Sequence, residues 1–231
     1  MVIEPSRKWV GRVAAEFVVI VLGVLVALAV DRYVGVRAES ERATDALRAL
    51  QEDLVASAEA LRAANEGYER QSRTLMWLVN FPSDGSVQFP ADSIFRVRLA
   101  AYQTSSYSPI LRTHEALVST GSLSLLGSEI QFGLADVNRS SANYLNFRAQ
   151  TTETWMFTLM PVYMRVLGAE PTTTEVVGAL ADREFHAAML TRARSLGLTA
   201  LQGESLSAQM DSLLVLVETE LRSEEHTSEL Q

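Results

Sequence analysis

The chain has 231 residues, 48% hydrophobic and 21% charged, with 12 Gly and 6 Pro; it is too apolar for a disordered chain and too poor in Gly and Pro for a fibrous one. The absence of Cys excludes a disulfide framework, thiolate metal sites and a Cys nucleophile. A formal net charge of -8 argues against nucleic-acid binding, which needs a basic surface to neutralise phosphates, and the length fits one domain with an appendage.

Residues 1–12 read as a short tail carrying Arg7, Lys8 and Arg12. Residues 13–30, VAAEFVVIVLGVLVALAV, hold Glu16 as their sole ionisable side chain. As a helix they extend about 27 Å, close to the roughly 30 Å hydrocarbon core of a bilayer. Trp9 and Tyr33 fall where amphipathic aromatics favour the interface. The stretch is therefore expected to be a single transmembrane helix, with 13–36 including its juxtamembrane end. A cleavable leader competes with this reading, since Ala27-Leu28-Ala29 has the small-x-small form of a processing site. The retained anchor is preferred because Tyr33-Val34-Gly35-Val36 prolongs the apolar character beyond that point. The amino end is expected in the cytoplasm and the bulk of the chain outside, in the periplasm of a bacterial cell. Glu16 lies one turn inside the boundary, within reach of Arg12 or of a second membrane helix. Gly23 and Ala27 form a small-residue face that admits close helix approach.

From about Ser40 to Asn80, Leu47, Leu54, Leu61, Tyr68 and Leu75 recur every seven residues, with Leu50, Ala64 and Leu78 offset by three. This predicts one long helix with a continuous apolar stripe. Ser57 and Gln71 interrupt its second seam, so a strict two-stranded coiled coil is not secure. Phe81-Pro82-Ser83-Asp84-Gly85 should stop it. Asp92 is expected to cap a short helix through Tyr102, and Ser108-Pro109 to open the next, which Gly121 closes in a left-handed cap. Ser128 is expected to cap a segment to about Leu167, kinked by Pro161 and closed by Gly168. Thr172-x-x-Glu175 has capping-box form. Phe185, Met189, Leu196, Leu206, Met210, Leu213 and Val217 trace a last apolar face, where Gly197 and Gly203 suggest close packing or a bend. The expected fold is all-α: an N-terminal transmembrane helix followed by an antiparallel helical bundle over 37–221.

Two motifs carry a resemblance. Glu16-Phe17-Val18-Val19-Ile20-Val21-Leu22-Gly23-Val24-Leu25-Val26-Ala27-Leu28 resembles the opening of an uncharacterised bacterial family of single-pass membrane proteins, a domain of unknown function. Leu117-Val118-Ser119-Thr120-Gly121-Ser122-Leu123-Ser124-Leu125-Leu126, followed by Ser128-Glu129-Ile130, is similar to that family's Leu-x-Ser-Ser-Gly-x-Leu-x-Leu-Ile turn and helix restart. With the helices between them, the resemblance spans nearly the whole natural chain. It departs at Ala15, where the family has Gly, and at Ala29-Val30-Asp31-Arg32-Tyr33, where the family is richer in amides and ends in Trp. The resemblance implies a topology and no chemistry. The last ten residues, RSEEHTSELQ at 222–231, resemble the translation of a sequencing-library adapter and are expected to be an artefact. Without them the chain carries 19 basic and 25 acidic residues, a charge of -6, and its natural end is expected to be missing.

Chemistry is thinly represented. Outside the terminal string only His114 and His186 remain. His114-Glu115-Ala116-Leu117-Val118 begins like the helical zinc signature, but Val118 stands where the second His must be. Ser119-Thr120-Gly121-Ser122 reads as a hydrogen-bonded turn and not as a nucleophile. Trp155, Phe157 and Tyr163 read as core more than as a ligand cage. No catalytic, cofactor or metal residues are assigned, and no cofactor is expected. Membrane-helix contacts are expected at Glu16, Gly23 and Ala27. The expected role is non-enzymatic: a membrane-anchored bundle for protein–protein contact, with the lipid bilayer, a further copy or another membrane protein as partner and no nucleic acid. A sensor-like bundle taking a small ligand near Trp155 is the alternative, and a hydrolase built on His114 and Glu115 the third.

Overall fold

Every member of the seven-residue series from Leu47 to Leu75 is buried, together with Leu50, Ala58 and Leu78. What covers them decides the fold. The computed structural model describes residues 7–84, 86–103, 107, 111–168 and 170–229, without the side chains of 7–16, 18–20 and 225–229. The described residues are helical and contain no strand: α1 (Arg7–Val79), α2 (Ala91–Tyr102), α3 (Arg112–Thr120), a short 3-10 turn (Ser122–Leu125), α4 (Ser128–Thr154), a π-turn (Trp155–Leu159), α5 (Met160–Leu167), α6 (Thr173–Leu180) and α7 (Arg183–Glu229).

The stripe of α1 packs against α7, which runs antiparallel to it. Gln51 donates to Glu218, Arg62 pairs with Asp211, and Ser72 Oγ donates to the Ala193 carbonyl at 2.8 Å. The last apolar face expected in the sequence, Phe185 to Val217, is buried throughout. Leu221 is the last buried apolar residue of α7, and the next position in the register holds Glu224, which accepts from Ser40 instead of packing. α4 packs along α7 and shares a core cluster with α1. Its Gly133 sits where a Cβ would come within 2.8 Å of Leu213. The core divides into two clusters. One gathers Leu47, Leu54, Leu61, Ile130, Leu134, Met210 and Val217; the other gathers Leu75, Leu78, Trp155, Tyr163, Phe185 and Met189.

The local signals were met unevenly. Gly121 adopts φ 72° and closes α3, and Gly168 adopts φ 68° beyond α5. Thr172 and Glu175 complete the capping box, each side chain bonded to the other's backbone N–H. Asp92 is not a cap: Pro90 holds that position and Asp92 lies in the first turn, 3.4 Å from Arg96. Ser128 is likewise the first helical residue, with Gly127 before it and no side-chain cap. Ser108 and Pro109 lie outside the described residues. α3 starts at Arg112, and its free N-terminus is served from another helix, Thr113 N–H donating to Asp53 Oδ2 at 2.9 Å. Such a cap is invisible to local reading, because its partner is sixty residues away.

Pro161 acts differently from a simple kink. With no N–H and a ring that crowds the carbonyl four residues back, it is accommodated by a widened turn in which Met160 N–H reaches Trp155 O. The widening turns Trp155 inward while Phe157 stays 78% exposed, so Phe157 does not join the aromatic cluster expected of it.

The expected anchor and the long amphipathic helix are one continuous α1, about 110 Å long at 1.5 Å per residue. Its described side chains up to Val36 are all exposed, and burial begins at Ala43. Among the described residues no helix is long and apolar enough to cross a membrane. Of the expected span 13–30, most side chains before Val21 are outside the description, and ten residues after that point Asp31 and Arg32 break the apolar run.

Gly203 has a strict reason to lack a side chain. A Cβ there would lie 2.0 Å from Asn65 Oδ1, and at Gly197 it would lie 3.2 Å from Ser72 Oγ. Close packing, not a bend, is what these glycines permit. Gly203→Ala should destabilise the folded chain by about 1–3 kcal/mol through overpacking. In a thermal-unfolding double-mutant cycle, Asn65→Ala should recover most of that loss, since the two residues are in contact.

Candidate functional site

The core is not wholly apolar. Asn65, Gln71, Ser141, Arg192, Thr199 and Ser207 are all buried within it, contributed by α1, α4 and α7. Several of their polar atoms have no hydrogen-bond partner within the chain: both Asn65 amide atoms, Gln71 Oε1, Ser141 Oγ, the Tyr144 hydroxyl, Arg148 Nη1 and Arg192 Nε. A buried polar atom left unpaired costs about 1–3 kcal/mol, and more if charged. So many of them in one core is unusual.

Arg192 is the charged member of this buried set. It is only 2% exposed, and its guanidinium stacks over Trp155 at 5.0 Å from the ring centroid. Burial lowers its pKa to about 10, against a smaller opposing effect of the Tyr68 hydroxyl, so it remains a cation at neutral pH. Among the described residues, no carboxylate contributes to its electrostatics. Tyr68 links Arg192 to Tyr144, whose hydroxyl faces that of Tyr68 without closing a hydrogen bond. Arg148, one helical turn beyond Tyr144 on α4, acts on the same hydroxyl. Burial, followed by Tyr68, raises the Tyr144 pKa far above the usual tyrosine range against the opposing pull of Arg148. Around Trp155, Tyr102 and Tyr163 make edge-on contacts at 6.3 Å, and Tyr163 is held up to about 12 by its burial.

The histidines do not meet. His186, at the start of α7, contacts the Val79 carbonyl at 3.0 Å, at the far end of α1. His114 lies on α3, next to Thr113, which bonds Asp53 and the Ala49 carbonyl. The intervening stretch of α1 is about 40 Å long at the helical rise, so an acid–base or metal pair across the bundle is geometrically ruled out for these two. The Ser119-Thr120-Gly121-Ser122 hydroxyls bond locally, with Thr120 Oγ1 on Ala116 O and Ser122 Oγ, both at 2.9 Å. Gly23 and Ala27 are exposed on α1 with nothing near Gly23, while the side chain of Glu16 lies outside the described residues.

Sequence reading passed over Arg192, Tyr144 and Tyr68 as a group. The signal was present: position 192 falls in the same helical register as Phe185, Met189 and Leu196, and an arginine inside an apolar stripe marks a buried charge. What set Tyr68 beside both Arg192 and Tyr144 was the register of α1 against α7 and α4, which one sequence does not display.

No family model, curated protein or solved structure matches the chain.

Two measurements follow from these buried groups. Arg192→Met should raise stability at neutral pH by about 1–4 kcal/mol, as replacing buried charges by apolar groups of similar volume commonly does; denaturation by urea reads this directly. Tyr163 has a folded pKa above its unfolded value near 10. The stability from keeping it neutral is thus complete below pH 10 and is lost as pH rises toward about 12. An ultraviolet titration of Tyr163→Phe should lack that late ionisation.

Proposed function

We propose that the protein is a membrane-anchored, non-enzymatic helical stalk, related to the single-pass bacterial family that its 16–28 and 117–126 motifs resemble. The observation that carries this reading is the unshared arm of α1. Val21, Leu22, Val24, Leu25, Val26, Leu28, Val30, Val34 and Val36 are all exposed, and they point to every side of the helix. A helix apolar around its whole circumference belongs in an apolar surrounding, and this one joins the bundle without a break. In the proposed arrangement 1–12 is cytoplasmic, 13–30 crosses the bacterial inner membrane, and the bundle stands outside.

The far end of the bundle carries the second exposed apolar region. A groove of about 520 Å³ between α2 and α5 is lined by Phe95, Leu99, Tyr102, Met160 and Met164, with Phe95 63% exposed. Aromatic and methionine side chains of this kind are enriched in protein interfaces. In this reading the groove takes an apolar segment of another envelope protein, held at a fixed distance from the membrane by the rigid α1–α7 pair.

Cell fractionation with protease added to spheroplasts tests the anchor. The full chain should sediment with membranes, resist alkaline extraction, and lose the bundle to external protease while the short tail survives. Release of the protein by osmotic shock, with a new amino terminus after Ala29, would refute the anchor.

A further inference from the structure

A site that owes nothing to the anchor lies where α1 and α7 run side by side. Glu66 and Glu69 of α1 and Glu204 and Asp211 of α7 line one groove of about 350 Å³, beside Arg62. Their spacing of three, four and seven residues puts each set on a single helix face. Four carboxylates against one guanidinium leave the groove a formal charge of -3. Arg62 is already paired with Asp211. Arg70 and Arg73 approach Glu66 and Glu69 only at 3.4 and 3.8 Å, with side chains 64% and 73% exposed, and pairs of that kind are weak in water. Among the described residues Glu204 has no ion-pair partner.

A second observation is independent of the charge. Asn65 and Ser207 line the same groove, in the middle of the two faces. They are only 4% and 5% exposed, and both Asn65 amide atoms and Ser207 Oγ lack a hydrogen-bond partner within the chain. The Asn65 amide fills the space that a Cβ on Gly203 would need, which pins it against α7. Buried acceptors without a donor are costly, so what the groove lacks is a cation that carries N–H groups. A metal ion fits poorly. Magnesium and calcium gather six or more oxygens around one point, and among the described residues no three acidic side chains come together to hold one. The negative charge is strung out instead: Glu204 and Asp211 stand about 10 Å apart along α7 at the helical rise.

We infer that the α1–α7 groove binds a linear aliphatic polyamine, whose separated ammonium groups donate to Glu66, Glu69 and Glu204 and to the Asn65 and Ser207 oxygens between them. Charge-assisted bonds of this kind are the stronger class of hydrogen bond. The methylene chain between the ammonium groups needs no polar partner, and Ala208 gives it an apolar wall. The net charge of -8 on the whole chain favours the approach of such a cation. Because the carboxylates come from both long helices, an occupied groove would tie α1 to α7.

The test uses the full chain in a nonionic detergent. Unfolding midpoints are followed during titration with spermidine or magnesium chloride, each at constant ionic strength set with sodium chloride. Spermidine should raise the midpoint saturably and magnesium should not. Glu66→Gln and Glu204→Gln combined should weaken spermidine binding about fivefold or more, the size of two exposed ion pairs. Ser207→Ala should weaken it about threefold or more through the lost hydrogen bond. Glu153→Gln, at an exposed position of α4 outside the groove, should leave binding unchanged. Glu66 and Glu204 are exposed and Ser207→Ala removes one hydroxyl, so these variants keep the fold and a lost response reads binding. The inference is overturned by an equal rise with magnesium, by a saturable response that the double variant retains or that Glu153→Gln loses equally, or by no rise with spermidine.

Discussion

The antiparallel seam between α1 and α7 is the constraint on which the rest of the structure depends. Leucines spaced by seven along α1 make a stripe that cannot remain in water, and at roughly 25 cal/mol per Å² of apolar surface its burial is the main favourable contribution available to so slender a molecule. Only a helix of similar length covers it. α7 does so, and α4 packs on α7 beside it. The shorter helices α2, α3, α5 and α6 are held by these three, as the capping of α3 by Asp53 shows directly.

Against that apolar frame, buried Arg192 stands out because its burial works against stability. Leucines, aromatics and methionines of the same cluster surround its stretch of α7. The cation is retained among them with an aromatic face and the Tyr68 hydroxyl for company. Close packing of Asn65 against Gly203 fixes the register there, so the polar groups cannot slide apart to reach water. The same packing that makes the charge costly holds it in position.

The two ends of the molecule expose apolar surface for different geometric reasons. The arm of α1 is exposed because nothing in the bundle extends that far, while the groove at Phe95 and Met164 is exposed because α2 and α5 meet at their edges. Between them the surface is dominated by charged pairs of i, i+3 and i, i+4 spacing, such as Arg37–Glu41 and Arg139–Asp136. Such pairs add little stability in water.

Residue order alone settled the helical class, the apolar faces of α1 and α7, the left-handed closure at Gly121 and the capping box at Thr172, because each depends on neighbours within about two turns. Asp92 and Ser128 were misplaced by local reasoning, since a capping side chain competes with the backbone on either side of it. The widened turn before Pro161 is local, but a proline alone does not say whether the helix kinks or widens. The cap that Asp53 lends to α3 and the separation of His114 from His186 depended on helices distant in the chain. So did the placing of Tyr68 beside Arg192 and Tyr144. Periodicity states which face of a helix is apolar; only the register between helices states which residue it faces, and that is fixed by how side chains fill space across the seam.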